Sequence, residues 1–174
     1  PENILMDENL YPKIADFGMS KLSDLLSVSM NFQSQKGYKG TPIYIAPEVL
    51  KSDINTKEGD VYSFAMLVFI LLTTKIPFKG INFLTLIQKV ASGVRPEITC
   101  DVPDVYKELI ENCWDQNPEK RPTFDQITNE IRSNNKFIID VVDKDEFDNY
   151  VEKVDGYKTT FNTSKRLLNF NEFV

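Results

Sequence analysis

The chain opens with two short apolar bursts, Asn-Ile-Leu-Met at residues 3–6 and Lys-Ile-Ala at 13–15, on either side of the polar triplet Asp7-Glu8-Asn9. The triplet is rich in turn formers, so the pattern predicts a β-hairpin with its arms over 3–6 and 13–15. From Met19 to Lys39 the periodicity is lost, and the segment holds five serines, two glutamines and a glycine. A connection of that length inside a domain is expected to be functional or disordered. Helical punctuation follows. Pro47 with Glu-Val-Leu behind it predicts a short helix with proline in its first turn. The run Val61–Leu72 is apolar on every face and predicts a helix buried all round, with Asp60 at its head suited to cap it or to bind a nearby backbone. Asn82 is placed to cap a helix over Phe83–Ala91 that Gly93 would stop. Val105, Leu109, Ile110 and Cys113 form a helical stripe within Pro103–Trp114. Thr123 precedes a last amphipathic helix with Phe124, Ile127 and Ile131 on one face. After Ser133 a β-branched patch leads into an acidic segment and a polar tail.

Composition narrows the function classes. The chain has 174 residues, 41% hydrophobic and 26% charged, which suits one globular domain or a little more. A net charge of −6 argues against nucleic acid as the main partner, since phosphate backbones are held by clustered Lys and Arg. Between Asp140 and Asp155, seven acids face two lysines, a local −5. This segment is no EF-hand, because it lacks the glycine and distal Glu of a calcium loop. The most apolar run, twelve residues long, falls short of the roughly 20 that span a bilayer, and no membrane partner is expected. Cys100 and Cys113 lack zinc-site spacing and read as reduced thiols of an intracellular, cytoplasmic protein. Histidine is absent, which removes Ser-His-Asp and Cys-His catalysis. Chemistry must rest on carboxylates, amides, hydroxyls and cations.

Five motifs then stand in order: Pro1-Glu-Asn-Ile-Leu, Ala15-Asp-Phe-Gly, Gly40-Thr-Pro-Ile-Tyr-Ile-Ala-Pro-Glu48, Asp60-Val-Tyr-Ser-Phe-Ala-Met, and Cys113-Trp-Asp-Gln-Asn-Pro-Glu-Lys-Arg-Pro-Thr-Phe. A single Asp-Phe-Gly carries no weight, but the ordered set resembles the second half of a eukaryotic protein kinase domain. The resemblance runs from Pro1 to about Arg132. The Asp-Val-Tyr-Ser-Phe and Cys-Trp-x-x-x-Pro-x-x-Arg-Pro runs look most like the tyrosine-kinase-like group, and Gly40-Thr41 has the serine/threonine-kinase form. The implied fold is mainly α: a kinase large lobe, a helical bundle around a buried central helix, with a short β-hairpin at its start and no small lobe. The implied partition is a partial kinase domain over 1–132 and an acidic extension over 133–174, helical or partly disordered, that packs on the lobe or docks basic partners.

The resemblance also implies roles. Phosphoryl transfer builds charge on phosphate oxygens that magnesium neutralises, and magnesium takes oxygen ligands. Asn3 and Asp16, thirteen residues apart, would hold Mg2+ on ATP. Leu5 would press on the adenine from below, above a floor supported by Leu67 and Leu71. Phe17 and Gly18 would set the orientation of Asp16, and Asp60 would hold the catalytic-loop backbone. Glu48 and Arg121 would form a buried salt bridge. Thr41, in the substrate loop, would favour Ser or Thr acceptors on protein substrates. Ser23, Ser27, Ser29, Ser34 and Tyr38 are candidate phosphorylation sites of an activation segment.

The family's catalytic Asp and Lys stand just ahead of Pro-Glu-Asn, so no catalytic residue of that pair is retained, and the glycine-rich loop is missing. The expectation is a fragment whose full-length form includes a small lobe, inactive alone. The alternative reading is a pseudokinase acting as a binding scaffold.

Overall fold

The computed structural model describes residues 2–8, 10–15, 42–52, 54–98, 102–139 and 142–165. They fall into two units: one is built from residues 42–134, the other from the hairpin of residues 2–15 and the chain after 134. Most of the described residues are helical, and the hairpin supplies the strands.

In the helical unit, a 3-10 turn at Pro42–Tyr44 precedes α1 (Pro47–Ser52), α2 (Lys57–Thr73), α3 (Phe83–Ala91), α4 (Asp104–Cys113) and α5 (Phe124–Ser133). The core gathers on α2, where Tyr62, Ala65, Met66 and Phe69 are buried and the helix packs on α4, whose Ile110 and Cys113 are sealed; Val90 of α3 is buried as well. Phe69 meets Trp114 with ring centroids 6.0 Å apart, and Phe64 meets Phe124 edge-on at 5.7 Å. The Ser63 hydroxyl donates to the Tyr44 carbonyl at 2.7 Å, tying the 3-10 turn to α2. Gly59 lets α1 and α2 approach closely, since a Cβ there would lie 3.1 Å from Cγ2 of Val49.

Local chemistry explains the ends. The Asn82 side chain accepts from Thr85 N–H, and Gly93 takes a φ of +88° just past α3. Thr123 and Gln126 form a reciprocal capping box at α5. Two expectations need correcting. Asp60 does not cap α2: the helix begins at Lys57, and Thr56 caps it by accepting from Gly59 N–H at 3.0 Å. The hydrophobic run starts later than the helix, whose polar first turn carries Glu58 and Asp60, acids that suit the positive end of the helix dipole. Nor is α2 buried all round, since Leu71 is 64% exposed while Val61, Tyr62 and Met66 are sealed. An apolar pattern on every face does not say which faces are covered.

In the second unit, β1 (Ile4–Met6) pairs antiparallel with β2 (Pro12–Ile14), with Ile4 opposite Ile14, Leu5 opposite Lys13 and Met6 opposite Pro12. The arms are offset by about a residue from those expected, because the turn extends to Tyr11. Leu10 takes the left-handed φ of 63°, and its N–H donates to the Asp7 carbonyl at 2.9 Å. After a 3-10 turn at Asn135–Phe137 comes α6 (Lys144–Lys165). The Asp143 carboxylate accepts from Glu146 N–H at 3.0 Å, the geometry of an N-cap.

Candidate functional site

Arg121 follows the 3-10 turn Pro118–Lys120, in a loop that folds back under α1 and α2. Its side chain is fully buried. Two of its nitrogens donate to the two carboxylate oxygens of Glu48, at 2.6 and 2.9 Å, which is the fork-on-fork arrangement that makes such pairs strong. Two further N–H groups donate to the Glu58 carbonyl at 2.8 Å and the Asp115 carbonyl at 2.9 Å. One guanidinium thus joins the first turn of α1, the first turn of α2 and the loop after α4. A charge taken out of water is tolerated only when its donors are met in this way.

A second arginine shares the shell. Arg95 donates to the Trp114 carbonyl at 2.9 Å, to Val90 and Val94 carbonyls, and to Oε1 of Gln116 at 2.7 Å. Gln116 in turn donates to the Ala91 carbonyl at 3.1 Å, so the last carbonyls of α3 are satisfied by side chains from two loops. Burial pushes the Arg95 guanidinium below its ordinary value, and the nearby charge of Arg121 adds to that. Both guanidinium carbons lie over the Tyr62 ring, 5.1 and 5.2 Å from its centroid. The Tyr62 hydroxyl is buried and has no hydrogen-bond partner among the described residues, and burial raises its pKa. Burial also pushes the Cys113 thiol up to about 12, against the pull of Arg121.

The hairpin is built otherwise. The Asn3 carbonyl accepts from Ala15 N–H at 2.8 Å, and Asn3 itself is exposed. Leu5 is 56% exposed opposite Lys13. Asp7 organises the turn: one carboxylate oxygen accepts from Tyr11 N–H at 2.9 Å, and the other meets Nζ of Lys13 at 3.0 Å.

Of the residues the sequence singles out, the structure brings Glu48 and Arg121 together across 73 positions. It places Asn3 and Leu5 on the hairpin, and Asp60 on the surface in the first turn of α2, where partial shielding raises its carboxyl pKa. Leu67 is half-buried on α2, one turn before the exposed Leu71. Asp16, Phe17, Gly18, Ser23, Ser27, Ser29, Ser34, Tyr38 and Thr41 lie outside the described residues. Among the described residues no cluster of three or more acidic, cysteine or histidine side chains is placed to hold a metal, and no helix is long and apolar enough to cross a membrane. Sequence reasoning missed Arg95, Gln116 and the stacked role of Tyr62. Nothing in the sequence around Arg95 marks it as a half-buried cation.

The family model for protein tyrosine and serine/threonine kinases matches residues 1–131. The chain belongs to the protein kinase family. The kinase chain is 41% identical over 133 residues to the mouse ankyrin repeat and protein kinase domain-containing protein 1, covering 71% of this chain and 18% of that protein. It is 38% identical over 148 residues to the dual specificity protein kinase shkA of Dictyostelium discoideum, covering 83% of this chain and 27% of the relative. It is 35% identical over 163 residues to the Arabidopsis thaliana protein kinase and PP2C-like domain-containing protein, covering 76% and 25%. The kinase chain therefore spans about a quarter or less of the length of these relatives. Its helical bundle around α2, with a two-stranded hairpin, is the architecture of a kinase large lobe.

Proposed function

We propose that this chain is part of a protein kinase of the tyrosine-kinase-like group that transfers the γ-phosphate of ATP to Ser or Thr hydroxyls of intracellular protein substrates. The observation that carries the reading is the Arg121 anchor, whose bidentate grip on Glu48 ties the helix after the substrate loop to the body of the lobe. A substrate loop needs one end held rigidly if an acceptor hydroxyl is to be presented in line. Thr41, six residues before Pro47, is the residue of that loop assigned to the acceptor side.

Asn3 and Asp16 are the proposed magnesium ligands. The donor set fits: an amide oxygen and a carboxylate are hard oxygen ligands that leave room for water and phosphate. Support comes from the ladder, which bonds Asn3 to Ala15, the residue before Asp16 in the chain. Bound magnesium would neutralise charge developing on the phosphate. Leu5 offers exposed apolar area for an adenine face. In the transfer the acceptor hydroxyl gives its proton to the base of the family's catalytic motif, its oxygen bonds to the γ-phosphorus, the bond to the β,γ-bridging oxygen breaks, and ADP leaves.

The 174 residues contain neither a glycine-rich phosphate loop nor the base-bearing motif of the family, so the chain by itself is proposed to be inactive and to need a small lobe as partner. Phosphate transfer from ATP to a Ser/Thr peptide mixture tests this. The full-length protein should transfer phosphate and lose it by about 100-fold or more on Asp16→Asn, as removal of a key electrostatic group does. The isolated chain should show none. Robust Asp16-dependent transfer by the isolated chain, or transfer by the full-length protein indifferent to Asp16→Asn, would overturn the reading.

A further inference from the structure

Along α6 as far as Gly156, the half-buried residues are Phe147, Tyr150, Val151 and Val154, at spacings of three, four and seven, together with Asp155, while Lys144, Asp145, Glu146, Asp148, Asn149, Glu152 and Lys153 face solvent. That is one apolar stripe on an otherwise charged helix. Within it the Tyr150 ring meets the Tyr11 ring, with centroids 5.6 Å apart and planes tilted by 37°. Tyr11 closes the hairpin turn: its N–H donates to the Asp7 carboxylate and its carbonyl accepts from Asp7 N–H at 3.1 Å. The register set at that turn carries Ile4 opposite Ile14 and brings Ala15 N–H onto the Asn3 carbonyl.

A two-stranded hairpin with Leu5, Met6, Leu10 and Ile14 all more than half exposed has little of its own to hold it. We propose that Tyr150 of the C-terminal helix is a positioning residue, bracing the hairpin through Tyr11 and so fixing where Asn3 stands. The purpose of the brace rests on the magnesium role assigned to Asn3. The brace itself does not. The acidic extension thereby acts in cis on the hairpin that carries Asn3. Burial raises the Tyr150 phenol pKa, and the neighbouring Tyr11 and Asp7 add to the shift.

Amide hydrogen exchange on the 174-residue chain tests the brace. Tyr150→Ala should speed exchange at Tyr11 and Ala15 by about tenfold, the scale of one lost aromatic pair with its buried area. Tyr150→Phe keeps the ring and should exchange within about twofold of the parent. The Trp114 amide, bonded to the Ile110 carbonyl in the other unit, should be unchanged in both and reports any global loss of fold. Exchange at Tyr11 and Ala15 equal to the parent in Tyr150→Ala, or equally fast in Tyr150→Phe, overturns the brace. In the full-length protein, Tyr150→Ala should raise the KM for Mg–ATP by more than it lowers kcat, and Tyr150→Phe should restore it. Absence of phosphate transfer by the unsubstituted full-length protein would remove the kinase reading while the exchange result still decides the brace.

Discussion

Two ion pairs, one in each unit, are held in opposite ways. Arg121 is sealed from solvent, grips Glu48 with two hydrogen bonds and donates two more to backbone carbonyls. Lys13 leaves 55% of its side chain in water and meets Asp7 through one ammonium contact at 3.0 Å. The first pair joins segments 73 positions apart, and the second joins neighbouring arms of one turn. Burial sets the difference in consequence. A sealed charge that loses its partner has no water to turn to, whereas an exposed one simply rehydrates.

The largest effect should come from breaking the sealed pair. Glu48→Gln leaves Arg121 charged and buried with half its grip gone, and Arg121→Ala leaves the Glu58 and Asp115 carbonyls without their donors. Each is expected to cost about 3–5 kcal/mol, measured by urea denaturation followed through Trp114 fluorescence. A loss below about 1 kcal/mol for both would place the pair with Lys13–Asp7 and erase the contrast.

Next in size is an alkaline effect from the same shell. Cys113 is sealed on α4, and burial raises its thiol from 9.0 to about 12. In the unfolded chain the thiol gives up its proton near the lower value, while in the fold it keeps it to the higher one. The raised pKa therefore contributes fully below pH 9 and is lost as pH climbs from 9 towards about 12. The slope approaches about 1.4 kcal/mol per pH unit. Stability of the parent minus that of Cys113→Ala, followed from pH 7 to pH 11, should fall only above pH 9. A flat difference would mean that the thiol reaches water in the folded chain.

The same contrast separates what could be read from the sequence from what could not. Asn82, Thr123, Pro47 and Gly93 act on backbone groups within four positions, so the helices they bound were legible. Thr56 was passed over for Asp60 because hydrophobic pattern marks where packing begins, not where the first turn closes. The pairing of Arg95 with Trp114 and Gln116 spans 19 and 21 positions and carries no local periodicity. Glu48 and Arg121 were joined only by resemblance to kinases, since nothing in either neighbourhood points to the other. The hairpin was legible from its turn formers. Its brace was not, because Tyr11 and Tyr150 lie at opposite ends of the chain, although Asp143-x-x-Glu146 could have announced the start of α6. Of the proposed magnesium pair, Asn3 stands on the hairpin and Asp16 lies outside the described residues.

The smallest effect sharpens the comparison from its exposed side. Lys13→Ala removes an ammonium that water already solvates, so its cost is expected to be about 0.5 kcal/mol and to vanish in high salt, where the pair is screened. Asp7→Ala is different although it breaks the same pair. It also strips the acceptor from Tyr11 N–H, which the turn needs to keep Leu10 in its left-handed conformation. Exchange at the Tyr11 amide should therefore rise in Asp7→Ala and stay near the parent in Lys13→Ala, and the rise should persist at high salt, because a hydrogen bond within the turn is not a long-range charge effect. Equal exchange in the two variants would make the ammonium, not the turn geometry, the element that holds this end of the hairpin. The distinction between a pair that anchors and a pair that decorates would then fail where it is easiest to measure.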